Sequence, residues 1–239
     1  MKYILLCAGE GRRMFPFTVL KPKCMLKVNE KEILQYHLEN AKKNDMKLSI
    51  VCGYRRDALD NINIKKYINE NYENTNMIES LLKAKDEFNE DLIVAYGDII
   101  YKEEILSKLK KENGDFVVTV DKHWKDYWLD RYGKVNYDIE SLSLNIDGAI
   151  NELGRTNVKV DEIDGRYVGL LKFSKNGLNV IEEIYNSNPK WKMLYMTDLL
   201  QEIINLGYKV NSFIIEGGWL EFDTKHDYTQ YRNCDINEL

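Results

Sequence analysis

The sequence predicts an α/β protein with a mostly parallel, twisted sheet, helices on both faces and a small α+β lid insertion. Strongly apolar, strand-like runs occupy residues 3–7, 47–52 and 91–96. Segments with apolar residues three and four positions apart separate these runs, which is typical of βαβ units. Glycine or aspartate residues closely follow the first and third runs, at the edge where open α/β sheets bind ligands.

The other elements are predicted in chain order. Further strand-like runs lie at residues 64–68, 116–120, 166–173 and 208–215. Helices are predicted at residues 32–43, 55–61, 176–186 and 198–206. Two more helices should begin at N-cap side chains, one at Thr75 or Asn76 and one at Thr224. Residues 121–173 break the alternation and are interpreted as an elaboration over the open end of the sheet, with candidate strands at residues 132–137 and 149–153.

Composition limits the partners and the compartment. The 239 residues, of which 44% are hydrophobic, are interpreted as one domain spanning residues 1–239. The net charge of −5 disfavours general affinity for nucleic acid or an anionic membrane. The cysteines and histidines lack metal-ligand spacing, and no apolar run reaches the ~18 residues of a membrane span. We expect a cytoplasmic protein with neither nucleic acid nor membrane as partner, and leave a homo-oligomer open.

The most informative stretch follows the first strand and has the pattern G-x-G-x-R-x-x-P-x-T-x-x-x-P-K over residues 9–23. Its small residues let the backbone approach a ligand and offer N–H groups to an anion. Arg13 and Lys23 add two positive charges, which suits a polyphosphate. A structural glycine turn is the simplest alternative. The dinucleotide fingerprint would need a small residue in place of Met14, and the Walker loop would need Gly-Lys-Ser/Thr.

This pattern resembles the signature loop of nucleotidyltransferases that join a nucleoside triphosphate to a phosphorylated small molecule on a Rossmann-like fold. The resemblance extends to Gly-Asp at residues 97–98 and to Trp-x-Glu-Phe-Asp-Thr at residues 219–224. It implies that Arg13 neutralises the departing pyrophosphate and that Lys23 stabilises charge on the α-phosphorus. It also implies Mg²⁺ held by Asp98 and Asp223, because this ion prefers oxygen ligands. The residues implied to contact the nucleotide are Leu6, Ala8, Gly9, Glu10, Gly11, Arg12, Ser80 and Gly97.

The middle of the chain resembles the cytidylyltransferase branch, through Asp-x-x-Trp-x-x-x-Trp-x-x-Arg at residues 121–131 and Asp-x-Glu at residues 138–140. That branch uses CTP, and its acceptors (phosphocholine, 2-aminoethylphosphonate, phosphoglutamine) carry an amine or amide beside the phosphate or phosphonate. An aromatic cluster can bind a cationic head group, although packing of the lid is an equal alternative for the tryptophans. The residues implied to bind the acceptor are Asn76, Trp124, Trp128, Arg131, Asp138, Glu140 and Trp219.

One departure from the branch is the strand-like character of residues 132–137, where family members have a short polar loop. The expected partners are a nucleoside triphosphate, with CTP favoured, and a phosphorylated small-molecule acceptor.

Three other functions stay open at this point. A sugar-1-phosphate nucleotidyltransferase using UTP or dTTP would share the whole scaffold. A nucleotide-sugar glycosyltransferase usually needs Asp-x-Asp, whereas Asp98 is followed by Ile99 and Ile100. A non-catalytic nucleotide sensor would be expected to lack one of the charged residues of the signature.

Overall fold

The computed structural model describes residues 1–238, which form a seven-stranded sheet and three two-stranded sheets. The strands are β1 (Lys2–Cys7), β2 (Lys27–Val28), β3 (Lys31–Glu32), β4 (Lys47–Cys52), β5 (Lys65–Ile68), β6 (Leu92–Tyr96), β7 (Ile99–Tyr101), β8 (Phe116–Asp121), β9 (Leu142–Leu144), β10 (Ile150–Leu153), β11 (Arg166–Phe173), β12 (Val210–Ile215) and β13 (Trp219–Glu221). The α-helices are α1 (Ile33–Lys43), α2 (Met77–Lys83), α3 (Glu103–Leu109), α4 (Trp124–Tyr132), α5 (Lys175–Ser187), α6 (Met196–Asn205) and α7 (Lys225–Tyr231).

The main sheet has the strand order β12-β8-β11-β6-β1-β4-β5. Four of its neighbouring pairs are parallel, and only β11 runs antiparallel to both of its neighbours. The small sheets pair β2 with β3, β7 with β13, and β9 with β10. The prediction of a mostly parallel α/β sheet is therefore confirmed.

Helices cover both faces of the main sheet because successive side chains of a strand point to opposite faces. In β1, Ile4 and Leu6 pack in one core cluster with apolar residues of α2, α5 and α6. Tyr3 and Leu5 pack in a second cluster with residues of α1, α3 and α4. This confirms the predicted arrangement of helices on both faces.

The capping predictions are confirmed. The side chain of Asn76 accepts a hydrogen bond from the backbone N–H of Met77 at the start of α2. Thr224 and Asp227 form a reciprocal capping box at the start of α7. The predicted short helix at residues 55–61 is a single 3-10 turn, Arg56–Leu59.

The candidate strand at residues 132–137 is wrong. Helix α4 continues to Tyr132 and ends at Gly133, which has a left-handed φ of 66°. The next residues form bends that fold back onto the helix, where the indole N–H of Trp128 donates to the carbonyl of Tyr137 at 2.8 Å. The aromatic and β-branched residues of this stretch pack on α4 instead of pairing with a strand.

Much of the segment 121–173 lies outside the main sheet, as an elaboration should, but its last strand does not. β11 completes the sheet between β6 and β8, and its residues Leu170, Leu171 and Phe173 are buried. The lid therefore consists of α4, the β9–β10 pair and their loops. None of the helices in residues 1–238 has both the length and the apolar character needed to cross a membrane.

Candidate active site

The predicted nucleotide site lies at the carboxyl ends of β1 and β6, which are adjacent parallel strands. Leu6 of β1 is opposite Tyr96 of β6, so the loops that leave the two strands run side by side. A cleft of about 360 Å³ opens there. The residues of the predicted nucleotide set that line it are Leu6, Ala8, Gly9, Gly11, Arg12, Ser80 and Gly97. The remaining member, Glu10, instead pairs with the guanidinium of Arg12.

Two glycines make the close approach of these loops sterically feasible. Gly11 has a left-handed φ of 62°, and a Cβ there would lie 2.8 Å from Cγ of Lys23. A Cβ at Gly97 would lie 2.8 Å from the carbonyl oxygen of Leu6 and would overlap the Sγ of Cys7. The backbone of both loops can therefore form a wall of the cleft only with glycine at these positions.

Four charged side chains, which we call the cleft cluster, meet in this cleft: Arg13, Lys23, Asp98 and Asp223. The Lys23 Nζ donates to Asp98 Oδ2 and to Asp223 Oδ1, each at 2.8 Å. The Arg13 Nη2 lies 2.5 Å from Asp223 Oδ2. Burial lowers the pKa of Lys23, but the two carboxylates outweigh burial and hold this pKa above its ordinary value. The structure thus brings together residues that are 210 positions apart in the sequence, from 13 to 223.

The β7–β13 pair brings the two aspartates together. Asp98 directly precedes β7, and Asp223 follows β13 after one intervening residue, Phe222. The two strands are antiparallel, so the start of one lies beside the end of the other. The backbone N–H of Phe222 donates to the Asp98 carbonyl at 2.8 Å. This three-residue pairing was absent from the sequence prediction because strands this short have no recognisable periodicity.

Helix α2 forms the opposite wall of the cleft. Ser80, predicted to contact the nucleotide, accepts a hydrogen bond from the Asn69 side chain at 3.1 Å and lines the cleft. Asn76, predicted to bind the acceptor, also lines the cleft while it caps α2. Its assignment to the acceptor stays a prediction.

Tyr96 is a cleft residue that the sequence prediction missed. Its hydroxyl accepts a hydrogen bond from the Tyr167 hydroxyl of β11 at 2.9 Å, and its ring lines the cleft. Burial raises the pKa of Tyr96 well above the ordinary tyrosine value, so the phenol is neutral. The available signal was its place as the last residue of a parallel strand, directly before Gly97-Asp98.

The aromatic residues and the arginine predicted to bind the acceptor are in the interior. Trp124, Trp128 and Arg131 are 1%, 0% and 1% exposed. The Arg131 guanidinium donates to both oxygens of Asp227, at 2.8 and 2.7 Å, and to Glu221 at 2.6 Å. An acceptor cannot reach these side chains in this conformation, so the structure corrects the expectation of direct contact. The physical reason is that two carboxylates and three aromatic rings already enclose the charge of the arginine.

Trp219 is likewise 3% exposed, and its indole N–H donates to Asp121 at 2.8 Å. Asp121 also accepts the backbone N–H groups of His123 and Gly217. The tryptophan therefore anchors β13 to the end of β8, and direct contact with an acceptor is corrected here too.

Asp138 and Glu140, the other predicted acceptor residues, lie close to the cleft. The carboxylates of Asp223 and Asp138 outweigh burial and raise the pKa of Arg13. Glu140 is half-buried, and burial raises its pKa against the opposing charge of Arg166. Arg166 also donates to the Asp138 carbonyl at 3.1 Å. Glu140 and Arg166 line a separate small pocket of about 20 Å³, so these charged side chains lie beside the cleft and are not part of its lining.

Comparison with known proteins identifies the family. A family model described as the MobA-like NTP transferase domain matches residues 3–160. The chain belongs to this family. The CTP:phosphoglutamine cytidylyltransferase of Campylobacter jejuni is 34% identical over 248 residues, which cover 95% of this chain and 97% of that protein.

Two solved structures share the fold of this MobA-like NTP transferase domain. The inositol-1-phosphate CTP transferase of T. maritima has a TM-score of 0.77 at 17% identity and covers 99% of this chain and 96% of that chain. The CTP:phosphocholine cytidylyltransferase of Streptococcus pneumoniae has a TM-score of 0.73 at 21% identity and covers 96% of both chains. The family match includes Arg13, Lys23 and Asp98 but ends before Asp223, which the tertiary structure brings to the same cleft.

The donor set of the MobA-like domain fits a divalent cation bound together with a nucleotide. Asp98 and Asp223 both direct an oxygen at one point, which the Lys23 ammonium occupies. Within residues 1–238 no group of three or more acidic, histidine or cysteine side chains forms a complete protein ligand set. Mg²⁺ commonly binds through one or two carboxylates and takes its other ligands from substrate phosphates and water. Two converging carboxylates in a nucleotide-sized cleft meet that requirement.

Proposed function

We propose that the protein is a Mg²⁺-dependent cytidylyltransferase that transfers CMP from CTP to a small phosphate- or phosphonate-bearing acceptor and releases pyrophosphate. The observation that carries the proposal is the cleft cluster, with Lys23 held between Asp98 and Asp223 beside the glycine loop. The identity of 34% to a CTP-using relative, over nearly the whole of both chains, supports CTP as the nucleotide.

The reaction forms a bond from an acceptor phosphate oxygen to the α-phosphorus of CTP and breaks the bond to the bridging oxygen, so that pyrophosphate leaves. Such transfers depend mainly on positioning and on neutralisation of charge. Arg13 neutralises the departing pyrophosphate, and Lys23 stabilises charge on the α-phosphoryl group. Mg²⁺ held by Asp98 and Asp223 supplies Lewis-acid charge neutralisation when it is bound. An acceptor phosphate is already anionic near neutral pH, so no protein base is needed.

The charged side chains beside the cleft favour an acceptor with an amino group. The carboxylates of Asp138 and Glu140 can accept hydrogen bonds from an ammonium, and Arg166 beside them can bind a carboxylate. An amino-acid-like acceptor such as phosphoglutamine offers both groups, in agreement with the activity named for the Campylobacter relative. Phosphocholine and 2-aminoethylphosphonate offer a cation without a carboxylate.

A pyrophosphate-release screen tests the proposal. The purified chain is incubated with Mg²⁺ and CTP, UTP, dTTP or ATP, each crossed with phosphoglutamine, phosphocholine, 2-aminoethylphosphonate and glucose 1-phosphate. Release is expected with CTP and an amine-bearing acceptor, and EDTA should abolish it. Turnover of glucose 1-phosphate with UTP or dTTP would instead indicate a sugar-1-phosphate nucleotidyltransferase. Binding of CTP without any product would indicate a nucleotide sensor.

A further inference from the structure

A largely buried ionic cluster contacts the segment that carries Asp223. It consists of Arg131 from α4, Asp227 from α7, and Glu221 at the end of β13. Asp227 is fully buried, and the fork of the Arg131 guanidinium bonds both of its oxygens. Bidentate pairs of this kind fix the geometry of both partners. The pKa of Asp227 is lowered because the charge of Arg131 outweighs the effect of burial.

The Asp227 carboxylate also holds the backbone that carries Asp223. Its Oδ2 accepts the N–H of Asp223 at 3.0 Å and the N–H of Thr224 at 2.7 Å. The same oxygen accepts Arg131 Nη2, so three donors converge on it. Two successive peptide groups are thereby held on either side of the Asp223 side chain, which points to Lys23 and Arg13.

Arg131 itself has no route to a substrate. The rings of Tyr127, Trp128 and Tyr132 lie 5.6, 5.1 and 4.7 Å from the centre of its guanidinium. The Tyr127 hydroxyl accepts the backbone N–H of Glu221 at 2.9 Å, so the same helix holds the strand that leads to Asp223. Any effect of Arg131 on the reaction must therefore be transmitted through the segment that bears Asp223.

We propose that Arg131 and Asp227 are positioning residues that hold Asp223 in the orientation needed to bind a divalent cation together with the nucleotide. This inference rests on the proposed function, because it assigns Asp223 to the cation. Partners of metal ligands typically change metal affinity or activity by about 10–100-fold when they are removed. The predicted acceptor residue Arg131 thus acts through Asp227 and Asp223, on the metal side of the cleft.

Calorimetric titration of CTP into the full-length chain tests this proposal without measuring turnover. The dissociation constant is measured with Mg²⁺ and with EDTA, and the ratio of the two values gives the metal-linked gain in affinity. We expect Asp227→Asn and Arg131→Lys each to lower this gain about tenfold while the value in EDTA stays within about twofold of wild type. Circular dichroism checks folding, and Arg131→Lys retains the positive charge in case Asp227→Asn does not fold.

Two further variants separate positioning from general damage. Glu87→Gln removes a buried, ion-paired carboxylate at the opposite end of the parallel strands and should leave the metal-linked gain unchanged. In an Asp223→Asn background, Asp227→Asn should cause no further loss, because both substitutions then affect the same ligand.

The outcomes separate the two proposals. An undiminished gain in both Asp227→Asn and Arg131→Lys, with a normal gain in the wild type, would overturn the positioning role alone. If Asp227→Asn lowered the metal-linked gain as much in the Asp223→Asn background as it does in the wild type, that result would also overturn the positioning role. A wild-type chain whose CTP affinity is independent of Mg²⁺ would overturn the positioning role and the proposed function together.

Discussion

The cleft cluster and a second ionic cluster lie at opposite ends of the parallel strands. The second, which we call the edge cluster, consists of Glu87, Lys2, Lys65 and the hydroxyl of Tyr67. The lysines lie 2.7 Å from the two oxygens of Glu87, and the hydroxyl donates to one of them at 2.6 Å. In the edge cluster two cations converge on one carboxylate, whereas in the cleft two carboxylates converge on Lys23.

This difference shows why only one of the clusters is a candidate site. A groove of about 870 Å³ adjoins the edge cluster, so cavity volume alone would favour the wrong end of the molecule. A carboxylate that already has two ammonium partners has no need of a metal ion. Two adjacent carboxylates repel each other and require a cation between them. In the cleft this cation is the Lys23 ammonium, and a metal ion could take its place. The two carboxylates that share one cation, together with the glycine-lined backbone, therefore make the cleft the candidate site.

The largest expected effect separates the lysines of the two clusters. Lys23→Ala should lower turnover of CTP by about 100-fold or more, because it removes a charge contact expected to strengthen in the transition state. Lys2→Ala, which removes an ammonium from the edge cluster, should leave turnover within about twofold of wild type. Pyrophosphate release under saturating Mg²⁺ measures both. Comparable losses in the two variants would remove the distinction between the clusters.

The edge cluster should matter for stability and not for turnover. Glu87→Gln should lower the free energy of unfolding by about 1.5–3 kcal/mol, the range for hydrogen bonds to charged groups. Burial alone would raise the pKa of Glu87, but Lys2, Lys65 and Tyr67 outweigh it and lower this pKa to about 2.

The same Glu87 pKa sets a pH window. The stabilisation by Glu87 is fully present above the ordinary pKa of 4.5 and is lost as pH falls through the folded-state value of about 2. The stability difference between wild type and Glu87→Gln should therefore shrink between these pH values in urea denaturation. A difference that stays constant over this window would contradict the assignment.

His37 is hydrogen-bonded to the backbone next to Asp98 and should make the stability of the protein depend on pH in a second range. Its Nε2 donates to the carbonyl of Ile99, directly after Asp98, at 2.8 Å. Because a carbonyl can only accept, Nε2 carries the hydrogen of the neutral ring, and Nδ1 accepts the hydrogen of the Tyr3 hydroxyl. Burial lowers the pKa of His37 to about 4 against the effect of its hydrogen bond to Ile99.

Below pH about 6.5 the unfolded chain binds a proton at His37 that the folded chain does not bind. Stability should therefore fall by up to about 1.4 kcal/mol per pH unit as pH drops from about 6.5 to the folded-state pKa. Urea denaturation of wild type and His37→Gln between pH 7 and 4 measures this. Parallel pH profiles for the two proteins would contradict it.

The smallest expected effect comes from a matched pair of glycines. Gly11→Ala and Gly133→Ala both place a side chain at a left-handed φ, 62° and 66°, so each should lose about 1–2 kcal/mol of stability. Only at Gly11 would the added Cβ meet Lys23. We expect turnover to fall about tenfold more in Gly11→Ala, measured by pyrophosphate release. Equal turnover in both would show that the position of Lys23 is not critical.

Local signals predicted much of the fold and the residues that meet in the cleft cluster. The glycine loop, the Gly-Asp pair and the capping box at Thr224 are contiguous patterns, and each occurs where it was predicted. The interior location of Trp124 and Trp128 was left open, because a sequence shows that aromatic residues are clustered but not which surface they cover. Arg131 was assigned to the acceptor because its two carboxylate partners are 90 and 96 positions away.

By itself, the sequence determined the alternation of strands and helices, the glycine loop and the two candidate aspartates, because these depend on periodicity and on residues close in the chain. Only the tertiary structure decided that the short β7–β13 pairing brings Asp98 beside Asp223. It also decided that Arg131 is buried against Asp227 and Glu221. Such contacts depend on which distant surfaces pack together, and short-range patterns contain no information about that packing.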